Sequence, residues 1–234
     1  MKQIIDDLLN ELLPLSFSEP ITHVYNPLIY ARANFIQYWS IYGRPPKEVI
    51  FLGMNPGPWG MAQTGIPFGH VELVEKWIGI NGSVAQPAKQ HPRRPIQGFQ
   101  CQKREVSGQR LWGWAQSRFK TPQQFFRRFW VANYCPLVFM EESGRNRTPD
   151  KLPKKEKNYL YAACDKALMR TVDWLQPRYV IGVGAFAAKR AGIALNGSGV
   201  NVGQILHPSP ANPKANAGWA QVAERQLAEM GIEI

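Results

Sequence analysis

The chain has 234 residues, 44% of them hydrophobic and 19% charged, and its 28 Lys and Arg against 17 Asp and Glu give a formal charge of +11. Ordinary apolar and aromatic content excludes a disordered chain, and 20 Gly and 19 Pro without a period exclude a collagen-like or repeat protein. The excess positive charge favours a polyanionic partner.

Ile4, Ile5, Leu8, Leu9, Leu12 and Leu13 recur at helical spacing and predict an amphipathic helix over about 3–13. Asp6, Asp7 and Glu11 interrupt this apolar run and no small-residue cleavage site follows, so a signal peptide is not expected. The helix is expected as an appendage to a single domain spanning 1–234. Asn26 is placed to cap a second helix, with Pro27 in its first turn, that runs to about Tyr42 and stops at Gly43-Arg44-Pro45-Pro46. The short apolar run Val49-Ile50-Phe51-Leu52, ending at Gly53, predicts a strand, as do Phe129 to Ala132 and Tyr179 to Gly184. A weaker strand, broken by Gly203 and Gln204, covers Val202 to Leu206. Helices are predicted at about 70–79, 106–118, 156–174, 185–195 and 216–230, although Gly108, Gly113 and Gly192 are unfavourable inside two of them. Apolar strands alternating with helices predict an α/β three-layer α/β/α sandwich around a small parallel sheet. The stretch Asn81 to Arg110, rich in Gly, Pro, Gln and basic residues, reads as a long surface excursion, and Glu141 to Pro153 as a second irregular segment.

No apolar window is long enough to span a membrane, and an intracellular protein is expected: cytoplasmic if bacterial, nuclear if eukaryotic. Cys101, Cys135 and Cys164 are too few for a disulfide scaffold or a four-cysteine zinc or iron–sulfur site.

Open parallel sheets place sites where strands end at the carboxyl edge. That rule selects Gly53 onward, Asn133 onward, Gly182-Val183-Gly184, and His207 onward. Gly182 and Gly184 read as packing glycines. The loop Gly53-Met54-Asn55-Pro56-Gly57-Pro58-Trp59-Gly60 is stiffened by prolines and opened to close backbone approach by glycines. It lacks the Lys-Ser/Thr ending of a phosphate-binding NTPase loop. Three prolines around His207-Pro208-Ser209-Pro210-Ala211-Asn212-Pro213 hold that strand exit extended. Asn133 offers a donor and an acceptor side by side, which suits either reading an amide edge or closing a local turn. Phe68 suits either the core or a stacking platform.

The run from Gly53 to Gly69 resembles the first motif of the single-strand-selective monofunctional uracil-DNA glycosylases. His207-Pro208-Ser209-Pro210, followed by Asn212-Pro213, Ala215-Asn216 and Gly218-Trp219, resembles their second, with Asn133-Tyr134-Cys135-Pro136-Leu137 in register between. The resemblance extends from about residue 26 to the end. It implies a uracil pocket in an α/β/α sandwich. Asn55 matches the catalytic Asn that positions water, and His207 the His that stabilises departing uracil. Asn133 matches the reader of the uracil edge and Phe68 the aromatic that stacks on the base. Met54 and Gly57 match pocket positions where backbone and shape matter. Ser209, Pro210, Ala211, Asn212 and Lys214 fall in the loop that meets DNA. No metal or other cofactor is implied. Ala211 stands where the family commonly carries a basic residue, and its methyl is too short to fill the gap left by a flipped base; Asn212 and Lys214 are the alternatives. His70 stands where the family more often has an acidic residue, and Trp59 where it often has Phe.

The resemblance thus implies a monofunctional DNA repair glycosylase that hydrolyses the N-glycosidic bond of uracil, and of oxidised uracil derivatives, to leave an abasic site. The expected partner is single-stranded and double-stranded DNA, with no membrane and a monomeric chain. Two other readings compete: a glycosylase mainly for other deaminated bases such as xanthine, and a catalytically silent single-strand-binding protein. Lys89, Arg93, Arg94, Lys103, Arg104 and Arg110, with Arg127, Arg128, Arg145, Arg147, Lys151, Lys154, Lys155 and Lys157, are the cations from which phosphate contacts are expected.

Overall fold

A computed structural model describes all 234 residues. The seven strands in chain order begin with β1 (Ile21–Tyr25), β2 (Val49–Gly53) and β3 (Phe129–Asn133). They continue with β4 (Val138–Glu141), β5 (Asn146–Arg147), β6 (Tyr179–Val183) and β7 (Asn201–Ile205). The main helices are α1 (Lys2–Leu12), α2 (Arg32–Tyr42), α3 (Val106–Phe119) and α4 (Pro122–Arg128), followed by α5 (Lys154–Leu175), α6 (Ala185–Ala194) and α7 (Trp219–Glu229).

The four predicted apolar runs pair in parallel in the order β3-β2-β6-β7. Val49, Ile50, Phe51 and Leu52 are all buried, as a strand covered on both faces requires. Successive side chains divide between the faces. Phe51 and Phe129 meet Trp114 of α3 and Phe125 of α4, with Trp219 of α7 edge-on to Trp114. On the other face Trp130 stacks on Tyr38 of α2 at 4.3 Å. α5 and α6 cover that face too, α6 closely: a Cβ on Gly182 would lie 2.1 Å from the Ala188 nitrogen. The three-layer α/β/α sandwich is therefore the observed architecture.

The structure corrects several element boundaries. The helix expected from Asn26 to Tyr42 is a short turn, Pro27–Tyr30, followed by α2, with a break at Ala31. Packing imposes the break, since Tyr30 Oη donates to the Ala62 carbonyl and the Ala31 carbonyl lies against Gly65. The last predicted helix, about 216–230, is α7, and Gly218 with φ 132° sets it off from a short helical turn at Pro213–Asn216. Helix α4, capped by Thr121, was not predicted, nor was the antiparallel sheet β1-β4-β5. β5 lies inside the segment expected to be irregular. Helix α1 packs on the body of the fold: Ile5 and Leu12 enter the main core, and Asp6 pairs with Arg32 and Glu11 with Lys166. Gly108 and Gly192 sit inside intact helices; a Cβ on Gly108 would meet the Phe68 carbonyl at 1.9 Å. No helix is long and apolar enough to cross a membrane.

Candidate active site

Parallel pairing of β2 with β3 sets Gly53 beside Asn133. The pairing continues past the strands, with the Tyr134 N–H donating to the Gly53 carbonyl and the Cys135 N–H to the Met54 carbonyl, both at 2.9 Å. The two loops are thus one unit. Beneath them Tyr134 Oη donates to Asp165 at 2.7 Å and accepts from Arg190 at 3.1 Å, which anchors the loop on α5 and α6. A cleft of about 260 Å³ opens above this edge, lined by Met54, Asn55, Gly57, Phe68, Asn133 and His207. All six residues picked from the sequence as catalytic or substrate-binding line it, from three separate stretches of chain.

Asn55 is half-buried, and its Nδ2 donates to the Leu137 carbonyl at 3.1 Å. That bond fixes the amide plane and leaves Oδ1 as an acceptor with no protein partner. Asn133 packs its amide over Gly53, where a Cβ would come within 2.4 Å of Oδ1 and 2.5 Å of the Phe68 ring. Its Nδ2 lies 3.3 Å from the Met61 sulfur, a weak acceptor that orients the amide. Gly53 thus lets a carboxamide and an aromatic ring share one corner. Phe68 has φ 55°, in the left-handed region that non-glycine residues avoid. Its conformation is held from both sides, by the α3 backbone at Gly108 and by Trp112 Nε1 donating to the Pro67 carbonyl at 3.1 Å.

His207 follows β7, and its Nδ1 accepts from the Ser209 N–H at 3.0 Å. A backbone donor there makes Nδ1 the unprotonated nitrogen, so the neutral ring carries its proton on Nε2. Burial lowers its pKa from the ordinary 6.5, which favours this neutral form. Gly184, expected only to aid packing, has φ 97° and a Cβ there would lie 3.1 Å from His207 Cβ, so it also makes room for this ring. The His207 and Phe68 ring centroids are 6.3 Å apart.

The loop after His207 is braced rather than free. Arg110 donates to the Pro208 carbonyl at 3.0 Å and to Asn216 Oδ1 at 2.8 Å, while Asn216 donates to the Pro210 carbonyl at 2.9 Å. Ser209 lines the cleft. The Asn212 side chain accepts from the Lys214 N–H and caps the turn that follows, so it is committed locally. Pro210, Ala211 and Lys214 are exposed at the rim.

Glu105, Ser107, Met61, Asn146 and Thr148 also line the cleft and were not picked from the sequence. Glu105 is the consequential omission. A Cβ on Gly57 would lie 2.2 Å from its Oε2, and one on Gly60 2.8 Å from its Cγ. The paired glycines were the available signal, but they do not say which distant residue they admit. Part of the basic charge proves structural. Arg93 and Arg94 donate to the Ser143 and Gly144 carbonyls, Arg147 pairs with Glu141 at 2.8 Å, and Arg128 with Glu48 at 2.6 Å.

The model of the uracil DNA glycosylase superfamily matches residues 41–227. The single-strand selective monofunctional uracil-DNA glycosylase of Rattus norvegicus is 50% identical over 224 residues, covering 95% of this chain and 81% of that protein. Its Mus musculus and Bos taurus counterparts are each 48% identical, covering 95% of this chain and 80% and 83% of theirs. In fold, the chain is similar to the crystal structure of Pedobacter heparinus SMUG2, with a TM-score of 0.66, 15% identity and 97% of each chain covered. The sandwich, the shared cleft and these likenesses together mean that the chain belongs to the uracil DNA glycosylase superfamily, among the single-strand-selective monofunctional uracil-DNA glycosylases.

Proposed function

We propose that the chain, as one domain over 1–234, hydrolyses the N-glycosidic bond of uracil in DNA and leaves an abasic site. The observation that carries this reading is the convergence of Asn55, Asn133, Phe68 and His207 on one cleft, with Asn55 and His207 each held by one polar atom and free at the other.

The chemistry follows from those free atoms. The enzyme must draw the nucleotide out of its stack, at a cost of a few kcal/mol in duplex and less in a single strand. Stacking on Phe68 offsets about 1–3 kcal/mol of that. Asn133 Oδ1 accepts from uracil N3–H while Nδ2 donates to O4; cytosine presents the reverse pattern and is mismatched. The Met61 contact and the Gly53 corner oppose the amide flip that would undo this choice. As the sugar–base bond breaks, negative charge gathers on uracil. Neutral His207 donates Nε2–H to O2 and stabilises that charge without transferring a whole proton. Positive charge gathers on the sugar, so the attacking water need not be a strong nucleophile. Asn55 Oδ1 accepts a hydrogen bond from that water and holds it against the sugar carbon. Neither motif core offers a lysine for a Schiff base with the sugar, in keeping with a monofunctional enzyme.

The partner is DNA, taken by a monomer. Lys214 at the rim and the unpaired Lys103 and Arg104 supply phosphate contacts, and Ala211 makes the rim a poor wedge for duplex. Single strands are therefore the better substrate, and oxidised uracils are further ones. The test is a uracil-containing oligonucleotide, single-stranded and duplex, followed by alkaline cleavage at abasic sites. Release from single strands, exceeding that from duplex, is expected. No release from either would refute the assignment and leave a nucleic-acid-binding role.

A further inference from the structure

We infer that a second cavity, next to the uracil cleft, is a subsite for the nucleotide that flanks the target in a single strand; the inference rests on the uracil-excising reading above. This cavity measures about 370 Å³, against about 260 Å³ for the cleft, and its walls include His70, Glu75, Phe99, Lys103 and Arg104. Two stretches of chain line both spaces. Phe68-Gly69-His70 gives Phe68 to the cleft and His70 to the cavity, and Arg104-Glu105 gives Glu105 to the cleft and Arg104 to the cavity. Two peptide units separate Phe68 from His70, so their Cα atoms are at most about 7.6 Å apart, which is comparable with one nucleotide step of an extended strand. A strand whose uracil lies on Phe68 therefore brings its neighbouring nucleotide to the second cavity.

His70 is the group that calls for a ligand. It lines the cavity, it is only 7% exposed, and neither Nδ1 nor Nε2 has a partner. Buried polar atoms are nearly always paired, and a nucleobase edge carries the donors and acceptors that this ring lacks. Phe99 is half-buried and packs against the main core, which fixes a ring on which any base can stack. Lys103 and Arg104 are exposed and belong to no ion pair, so both are free for phosphates. The segment after His70 brings Glu72, tied to Lys76 at 3.0 Å, and Glu75, and these acids draw the phosphates to the Lys103–Arg104 side. A flanking base enters only when it is unpaired and unstacked, which costs less in a single strand than in duplex. The subsite thus adds to the preference for single strands.

The test measures kcat/KM for uracil release from single-stranded oligonucleotides that carry either an ordinary nucleotide or a base-free tetrahydrofuran residue immediately 5′ or immediately 3′ of the uracil. For wild type, removing the base on one of these two sides should lower kcat/KM by about fivefold or more. In Phe99→Ala the intact strand should show a similar loss, and the dependence on the flanking base should disappear. Phe99→Leu keeps the apolar packing without the ring, and it carries the test if the Ala variant does not fold. In Arg104→Ala the slope of log kcat/KM against log salt should become shallower by about 0.7, the share of one phosphate on a single strand; an unchanged slope would overturn that contact. A flank dependence of equal size in wild type and the folded Phe99 variants, or none in wild type on either side, would overturn the subsite. Failure of wild type to release uracil would instead overturn the functional reading itself.

Discussion

The two ends of the parallel sheet treat polar groups in opposite ways. At the amino edge Lys47, Glu48 and Arg128 all bond to other protein groups. Lys47 Nζ donates to the Phe126 carbonyl, and its burial lowers its pKa to about 8. Glu48 accepts from Arg128 at 2.6 Å, and Arg128 donates onward to the Glu233 carbonyl at 2.7 Å. At the carboxyl edge Asn55 and His207 each use one polar atom to fix their orientation, and the other has no protein partner. The positive φ of Gln176 closes α5 in the left-handed region, where such a residue is routine, whereas that of Phe68 stands in the site. Polar groups that find protein partners contribute to stability, whereas a buried polar atom left without one is a stability cost.

Breaking the carboxyl edge should abolish turnover and spare the fold. Asn55→Ala removes the acceptor proposed to hold water, and uracil release should drop by about 10³-fold or more with an unchanged thermal melt. Full activity in that variant would refute its role. His207→Ala removes the donor proposed to stabilise the leaving group, for an expected loss of about 10²–10³-fold in kcat with a smaller change in KM. A loss confined to KM would show that the ring only binds.

Breaking the amino edge should do the reverse. Glu48→Ala leaves Arg128 without its carboxylate; since both side chains are partly exposed, the pair contributes about 1 kcal/mol or less. A fall in Tm of about 2–4 °C with kcat/KM unaltered is expected. A catalytic defect there would mean that the two ends of the sheet are coupled. The smallest effect concerns pH. Burial holds both His70 and His207 below the ordinary 6.5. As pH falls, the unfolded chain takes up these protons before the folded one, so stability is retained above about pH 6.5 and declines below it. Thermal melts from about pH 7.5 to about pH 5 should show that decline, reduced in His70→Gln. A Tm that rose on acidification would contradict the assignment.

Legibility followed the physical range of each signal. Val49 to Leu52, Phe129 to Ala132 and Tyr179 to Val183 announce buried parallel strands because continuous apolar runs have few other uses. The site residues lie in motifs long enough to be read by resemblance, and on strand ends where α/β folds place ligands. Signals were weaker where pairing decides the outcome. The strand Ile21–Tyr25 and the two-residue strand Asn146–Arg147 exist because β4 lies between them. Ala31 breaks a helix that its sequence would continue, because Gly65 lies against its carbonyl.

By itself, the sequence determined the alternating elements and the three loops that line the cleft, and its resemblance to a family singled out Asn55, Asn133, Phe68 and His207 as candidates. The elements depend on local periodicity, and the candidates on motifs that resemble those of a known family. Only the tertiary structure decided which atom of each side chain stays free, that Gly184 makes room for His207, that Asn212 is spent on a cap, and that Glu105 enters beside Gly57. Each of these is a contact between residues far apart in the chain, and a glycine in a sequence records that something comes close without recording what.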